Sequence, residues 1–368
     1  MKIALIVDTL GGGGAERQVV MAAAELQRLG EEVCLLVYHP ENVFQEMISS
    51  QRIPLIQIAE RGPLRLGRIR ALRRHLKAGG FDIAHAFKDS ASFYGGLAAA
   101  GVGIPHVFGG YRCLDPPPRL QKLAYRSLAG TFSGWIVNSM RVKLVVEQVL
   151  GVEPHRIHVL PNGIYFEHYQ SNLSPAEARA KFGIEERGPV ICMVAQLRPE
   201  KNHERFLHAA RRVLDRGEHP IFLLAGDGPQ RTVIEDLAGD LHLTDHLRLL
   251  GRREDIADVL RATDVVALTS QHEGQPNALI EAAAAGVPCV ATRSGGAEDV
   301  VVDGETGYLV SYGDDAGMAE RMIALLDDAD LRARMGRAAQ ARARGVYSAE
   351  VVGENLRRIY RGVACGSA

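Results

Sequence analysis

Thirteen short apolar runs, most of them followed by a segment of helical periodicity, set the tightest limit on what this 368-residue chain can fold into. In the first half they are Ile3–Val7, Val33–Val37, Leu55–Ile58, Ile83–Ala86, His106–Phe108, Trp135–Val137 and Ile157–Leu160. The second half offers Val190–Val194, Ile221–Ala225, Leu247–Leu250, Val265–Leu268, Cys289–Ala291 and Tyr308–Val310. Several are continuously apolar rather than alternating, as parallel strands are when helices cover both faces of the sheet. Strands alternating with helices imply right-handed βαβ crossovers. Single cores stop growing at about 250–300 residues, so two domains are expected. The break falls near residues 162–188. Pro161, Asn162 and Gly163 form a turn, and Ser174 before Pro175 has the form of an N-cap with proline at the first helical position. The expected α/β architecture is two doubly wound, Rossmann-like domains facing a central cleft: residues 1–167, residues 168–345, and a final helix over 346–368. Ligands of such sheets bind beyond the carboxyl ends of the strands, which directs attention to the loops that follow them.

Composition narrows the partners. The chain carries 43 Lys plus Arg against 44 Asp plus Glu, a balance that gives no support to general nucleic-acid binding. The halves differ: residues 1–170 hold 19 basic and 14 acidic side chains, and the rest are net acidic, so they can face different partners. Five cysteines, an odd number, lie far apart with no C-x-x-C pair. That disfavours a disulfide scaffold or a structural zinc site and suits a reducing compartment. Ile3–Val7 is too short for a secretory signal, and Asp8 ends it. The uncharged stretch Ser90–Tyr111 contains six glycines and Pro105, so it reads as helix, turn and strand rather than a membrane span. A cytoplasmic protein is expected, at most peripheral on the inner face of a membrane.

The segment Glu273-Gly-Gln-Pro-Asn-Ala-Leu-Ile-Glu281 places two carboxylates around a helix start. Pro276 suits the first helical position, and Gly286 with Pro288 ends the helix. The amides of Asn277, Ala278 and Leu279 would then face outward at a positive helix end, an anion site. Glu281, a turn further in, can accept two hydroxyl hydrogen bonds, while Glu273 and Gly274 precede the helix. A phosphate flanked by hydroxyl-bearing groups is what a nucleotide-sugar presents. Spacing alone is equally compatible with a surface helix and a capping carboxylate.

From Thr269 to Val310 the chain reads TSQHEGQPNALIEAAAAGVPCVATRSGGAEDVVVDGETGYLV. This resembles, almost position for position, the signature region of the retaining glycosyltransferases of family four, which have the GT-B fold. The resemblance covers most of the chain and is strongest over residues 189–310. It implies that Glu281 binds the nucleotide ribose, that Glu273 contacts the transferred sugar, and that Asn277 to Leu279 hold the diphosphate. Ala195-Gln-Leu-Arg-Pro-Glu-Lys201 follows a strand, and a lysine and an arginine in one loop can neutralise a leaving diphosphate. Lys201 matches the family lysine. The usual arginine position holds Gln196, so Arg198 either replaces it or is a solvated loop charge. Gly226-Asp-Gly and Gly251-Arg252 fall where the resemblance places nucleotide contacts, and glycines there would let backbone approach the ligand. Near the N-terminus, Gly11 to Arg17 fails the G-x-G-x-x-G dinucleotide fingerprint. Gly13, Gly14 and Glu16 match instead the family's G-G-A-E, which implies a flexible loop toward the donor phosphate and acceptor.

On the acceptor side the candidates are Arg17, His85, Lys88, Tyr111 and Arg112. His85 reads either as a sugar contact or as a structural histidine, and Phe87 stands where many relatives have a second one. Arg61 to Lys77 contains seven basic residues and no acid. It reads as an amphipathic helix covering the sheet, or as contact with anionic lipid or a phosphorylated acceptor. Arg119, Lys122 and Arg126, interleaved with Leu120, Leu123 and Leu128, form a second membrane-facing candidate. Asp328-Ala-Asp330 sits between helical segments and reads as a turn, so no metal is expected. The resemblance implies transfer of a hexose from a UDP- or GDP-sugar to a glycan or lipid-linked acceptor, with retention and no cofactor beyond the co-substrate. The rivals are a catalytically silent nucleotide-sugar-binding subunit and an epimerase or phosphorylase on the same fold.

Overall fold

The computed structural model describes residues 1–58, 66–114, 119–184 and 188–364. Arg61 and Arg65 of the basic segment, residues 185–187 of the expected break, and Cys365 lie outside them, as do the side chains of Arg119, Leu120 and Leu128. The chain divides into two compact units, Met1–Gly163 with Ala349–Ala368, and Ile164–Ser348.

The first unit holds a seven-stranded sheet: β1 (Lys2–Val7), β2 (Glu32–Val37), β3 (Leu55–Gln57), β4 (Ile83–Ala86), β5 (His106–Tyr111), β6 (Gly134–Val137) and β7 (Ile157–Val159). Their order is β3-β2-β1-β4-β5-β6-β7, every neighbour parallel. The second unit's sheet contains β8 (Val190–Val194), β9 (Ile221–Ala225), β10 (Leu247–Gly251), β11 (Val265–Leu268), β12 (Cys289–Thr292) and β13 (Gly307–Val310), ordered β10-β9-β8-β11-β12-β13 and parallel. Each apolar run is thus a strand. The one that differs most is β5, which continues three residues beyond Phe108 because Gly109 and Gly110 still pair with β6.

Both faces of the second sheet are buried. Cys192, Leu223 and Val190 pack into one core, while Ile191, Met193 and Phe222 pack into the other. Continuous apolar strands follow from that double coverage. The helix Pro175–Lys181 starts as its sequence dictates: Ser174 accepts from the Glu177 amide, and Glu177 reaches back to the Ser174 amide. Asp328 likewise caps the helix Ala329–Val346 by accepting from the Leu331 amide at 2.8 Å, so Asp328-Ala-Asp330 is a helix start. Among the described residues no group of three His, Cys, Asp or Glu side chains could hold a metal ion. Among them, too, no helix is long and apolar enough to cross a membrane.

The terminal helix Ala349–Ala364 belongs to the first unit, where it packs on the helix Gly14–Arg28. Gln18 of that helix brackets the end of the unit, donating to the Gly163 carbonyl at 2.9 Å and accepting from its amide at 2.7 Å. The second unit closes on the Ile164 amide, which donates to the Tyr347 carbonyl at 2.8 Å.

Candidate active site

In the second sheet β8 and β11 are neighbours, although β9 and β10 lie between them in the chain. Connections leave these two strands in opposite directions, which opens a crevice at their carboxyl ends. Lys201, in the loop after β8, and Glu273, in the loop after β11, meet there. Lys201 Nζ lies 2.5 Å from Glu273 Oε1, with the side chains 23% and 11% exposed. The loops are also joined through the backbone. The Thr269 hydroxyl faces the carbonyls of Lys201 at 3.1 Å and Asn202 at 2.9 Å, and the Gln271 amide donates to the Glu200 carbonyl at 3.1 Å. Glu273 is anchored by its own amide, which donates to the Ser294 carbonyl at 3.0 Å. Gly296 makes this possible, since a Cβ there would collide with the Gly274 carbonyl.

The helix after Glu273 spans Asn277–Ala284, with Pro276 as its N-cap rather than its first residue. The Leu279 amide donates to the Pro276 carbonyl at 3.2 Å. It is therefore engaged within the first turn rather than open to an anion, because the helix start tightens into an i to i−3 bond. Glu281 is buried, and its Oε1 accepts the Tyr169 hydroxyl at 2.9 Å. At the far end the Gln170 and Gln340 amides donate to the Ala284 carbonyl at 3.3 and 2.9 Å, and Gly286 turns the chain at φ +76°.

The glycines after β9 answer a packing need of their own. A Cβ on Gly226 would collide with the Ala195 carbonyl, and one on Gly228 with the Leu197 carbonyl. They let two loops approach each other, and the bond from the Leu197 amide to the Asp227 carbonyl at 3.0 Å joins those loops. Gly251 has open space around it but sits at φ +67°, and its carbonyl accepts from the Gly226 amide at 2.9 Å. Arg198 and Arg252 are exposed. Arg253 is held by both oxygens of Asp255 and lies 5.3 Å from the Phe182 ring, a structural position. His203, first residue of the helix His203–Asp215, is buried, and neither ring nitrogen has a hydrogen-bond partner among the described residues. Burial and the nearby Lys201 charge pull its pKa down to about 4.

The first sheet reverses direction between β1 and β4, and charged groups converge at their carboxyl ends. Lys88 Nζ lies 2.7 Å from Glu16 Oε1 and 3.3 Å from Asp8 Oδ1, and the Ser90 hydroxyl donates to Asp8 at 2.9 Å. Burial works against the Lys88 charge, but the Glu16 hydrogen bond and the Asp8 charge outweigh it and raise its pKa. Arg112 donates to Asn162 Oδ1 at 2.8 Å and lies 5.2 Å from the Phe87 ring. Burial pushes its pKa down to about 10. His85 is completely buried, with Nδ1 2.6 Å from the Tyr360 hydroxyl and its ring against Phe87. Burial, and then the charge of Arg112, hold it neutral, far below the ordinary histidine pKa.

Family models match both halves of the chain. "Glycosyl transferases group 1" matches residues 175–342 and "Glycosyltransferase Family 4" matches residues 12–168. The chain belongs to the family 4 glycosyltransferases. Over 269 residues it is 29% identical to UDP-Gal:alpha-D-GlcNAc-diphosphoundecaprenol alpha-1,3-galactosyltransferase of Escherichia coli, 70% of each chain. It is 31% identical over 197 residues to N-acetyl-alpha-D-glucosaminyl L-malate synthase of Bacillus anthracis, 54% of this chain and 50% of that one. Among solved structures, Anabaena Alr3699/HepE in complex with UDP superposes with a TM-score of 0.86 at 20% identity, covering 98% of this chain and all of that one. A glycosyltransferase from Rickettsia africae superposes at 0.88 with 19% identity, covering 99% and 98%. The two-domain GT-B fold is therefore shared over the whole chain.

In this glycosyltransferase the structure brings Lys201 to Glu273 and sets Glu281 inside the helix that follows. Among the first-unit candidates, Lys88 and Arg112 are each held by the polar partners already described, and both interact with the charge of Glu16. Gly13, Gly14 and Arg17 lie exposed at the start of the Gly14–Arg28 helix. His85 is a strand residue bonded to the terminal helix, and Tyr111 is packed in the sheet core at 2% exposure. Sequence reasoning missed Asp8, Ser90 and Tyr169. Asp8 and Ser90 could have been found as polar residues just beyond apolar strands. Tyr169 gives no sequence signal, since its partner is 112 residues away.

Proposed function

We propose that this glycosyltransferase moves a hexose-type sugar from a UDP- or GDP-sugar, held by the second unit, to a hydroxyl of a glycan or lipid-linked acceptor held by the first. We assign Glu281 to the ribose, Glu273 to the transferred sugar, the Asn277–Ala284 helix start to the diphosphate, and Lys201 with Arg198 to the charge that develops on the leaving phosphate. The Lys201–Glu273 pair at the β8/β11 switch point carries this reading. It sets a cation and an acceptor of sugar hydroxyls within one contact of each other, beside a positive helix end.

In the transition state the anomeric carbon gains positive charge and the departing oxygen negative charge. A fixed ammonium at that oxygen favours the transition state over bound donor, which is the condition for raising kcat. With cationic side chains and helix amides meeting the diphosphate, transfer proceeds without a metal ion. Retention follows when the leaving phosphate takes the acceptor's proton on the face from which it departs. The acceptor side is assigned to Arg17, Lys88 and Arg112. Peripheral contact with an anionic membrane is assigned to the first unit, where exposed Leu123, Met140 and Leu144 lie on helices that also carry Lys122, Arg126 and Arg141.

A thermal-shift panel of UDP- and GDP-sugars, followed by incubation of the stabilising donor with lipid-linked and free glycan acceptors in EDTA, tests the reading. A selective donor, and a product of unchanged anomeric configuration, are expected. Inversion, dependence on added metal, or conversion of donor to an epimer without acceptor would each overturn the corresponding part.

A further inference from the structure

The Glu281 carboxylate is not left to find its own orientation. Tyr169 ends the short 3-10 helix Phe166–Tyr169, and its hydroxyl donates to Glu281 Oε1 at 2.9 Å, with both residues buried. The next residue, Gln170, donates to the Ala284 carbonyl at the end of the same helix. Two consecutive side chains thus fasten one short segment to the Asn277–Ala284 helix, one at the carboxylate and one at the last turn.

We propose that Tyr169 is a positioning residue for nucleotide recognition: by holding Glu281 Oε1, it fixes the orientation in which the carboxylate meets the vicinal hydroxyls of the donor ribose and so sets the preference for ribose over deoxyribose. The inference rests on the assignment of Glu281 to the ribose. A glutamate side chain has three rotatable bonds, and fixing them when the ligand arrives costs conformational entropy. The Tyr169 bond fixes them beforehand, and such preorganisation raises affinity without adding a ligand contact. The chemistry is also selective. A phenol donating to a carboxylate keeps that carboxylate an acceptor, so what it recognises must itself donate, as a diol does and a deoxy position does not.

The test is a double-mutant cycle on the full chain, using Tyr169→Phe, Glu281→Ala and the double variant. Dissociation constants are measured by calorimetry for UDP and GDP and for their 2′,3′-dideoxy forms, which lack both hydroxyls. Wild type is expected to prefer the ribose form of the nucleotide it binds by about tenfold or more, the loss expected when a hydrogen bond to a charged group goes unmade. Tyr169→Phe keeps the ring and its packing. It is expected to weaken ribonucleotide binding by about three- to tenfold, a fraction of such a bond, while leaving the deoxy forms nearly unchanged, so that the preference shrinks. In the Glu281→Ala background the Tyr169→Phe change is expected to have no further effect. A purely structural role would lower affinity for ribo and deoxy forms alike, and that result overturns the proposal. Persistence of the Tyr169→Phe effect without Glu281 also overturns it. A wild type that binds ribo and deoxy forms equally removes the ribose assignment of Glu281 itself, and the proposal falls with it. Melting temperature, read alongside, separates a folding defect from a binding one.

Discussion

Replacing Lys201 with alanine does two things that can be measured apart. It removes the ammonium proposed to meet the leaving phosphate, and it leaves Glu273, 11% exposed and formerly 2.5 Å from its cation, without its charge partner. The first effect is kinetic. Loss of a preorganised electrostatic donor costs about 2.7–4 kcal/mol of transition-state stabilisation, so kcat should fall by about 10²–10³-fold. The second effect is on stability. A largely buried acceptor stripped of its partner costs about 1–3 kcal/mol. Taking about 2 kcal/mol in the second unit, Ile164–Ser348, a unit of that size should lose roughly 4–8 °C in Tm. Adding Glu273→Gln to Lys201→Ala removes the stranded charge. The double variant is expected to recover most of the lost melting temperature and none of the lost kcat. Differential scanning calorimetry and steady-state transfer assays on the two single variants and the double would decide it. Near-normal turnover by Lys201→Ala, or recovery of turnover together with stability in the double variant, would refute the assignment of Lys201 to the leaving group.

Glu281→Ala should raise the donor Kd by about ten- to 150-fold, as expected for hydrogen bonds to a charged group, with kcat at saturation less affected; an unchanged Kd by calorimetry counts against the ribose role. Gly226→Ala should destabilise more than Gly251→Ala in urea unfolding, because a Cβ at 226 meets the Ala195 carbonyl, whereas at 251 only the left-handed φ of +67° is at issue, worth about 1–2 kcal/mol. Equal effects would contradict that packing. Buried neutral His85 and His203 have pKa values lowered in the folded state, so the unfolded chain binds more protons below its ordinary value near 6.5. Their contribution is therefore complete above about pH 6.5 and is lost as pH falls toward the folded values, about 4 for His203. His203→Leu should flatten the fall in Tm between pH 6.5 and 4, and an unchanged pH profile would remove His203 as a source of acid lability.

The strands were legible because each is a hydrophobic run bounded by polar or turn residues, and burial on both faces leaves little room for another pattern. The helix cap at Ser174 and the one at Asp328 were legible for a similar reason: each is a bond between residues three apart in sequence. The start at Pro276 was displaced by one residue, since a proline suits both the cap and the first turn and only the backbone bond to Leu279 separates them. The glycines after β9 were recognised, but the loop packing they permit was not. Whether a glycine lets a neighbouring loop approach depends on what stands opposite, and at Gly226 that is the Ala195 carbonyl, brought close by the β8–β9 pairing.

By itself, then, the order of residues determined the α/β class, the division into two sheets, and the short stretches that carry Lys201, Glu273 and Glu281. These depend on periodicity and on contacts within one turn or one loop. Tertiary structure decided who meets whom: Lys201 with Glu273 across 72 residues, Tyr169 with Glu281 across 112, and His85 with Tyr360 across 275. The physical reason is that strand order in a parallel sheet is not sequence order. One crevice lies where β8 joins β11 in the second sheet, another where β1 joins β4 in the first, and no local pattern in the chain records which strands will be neighbours.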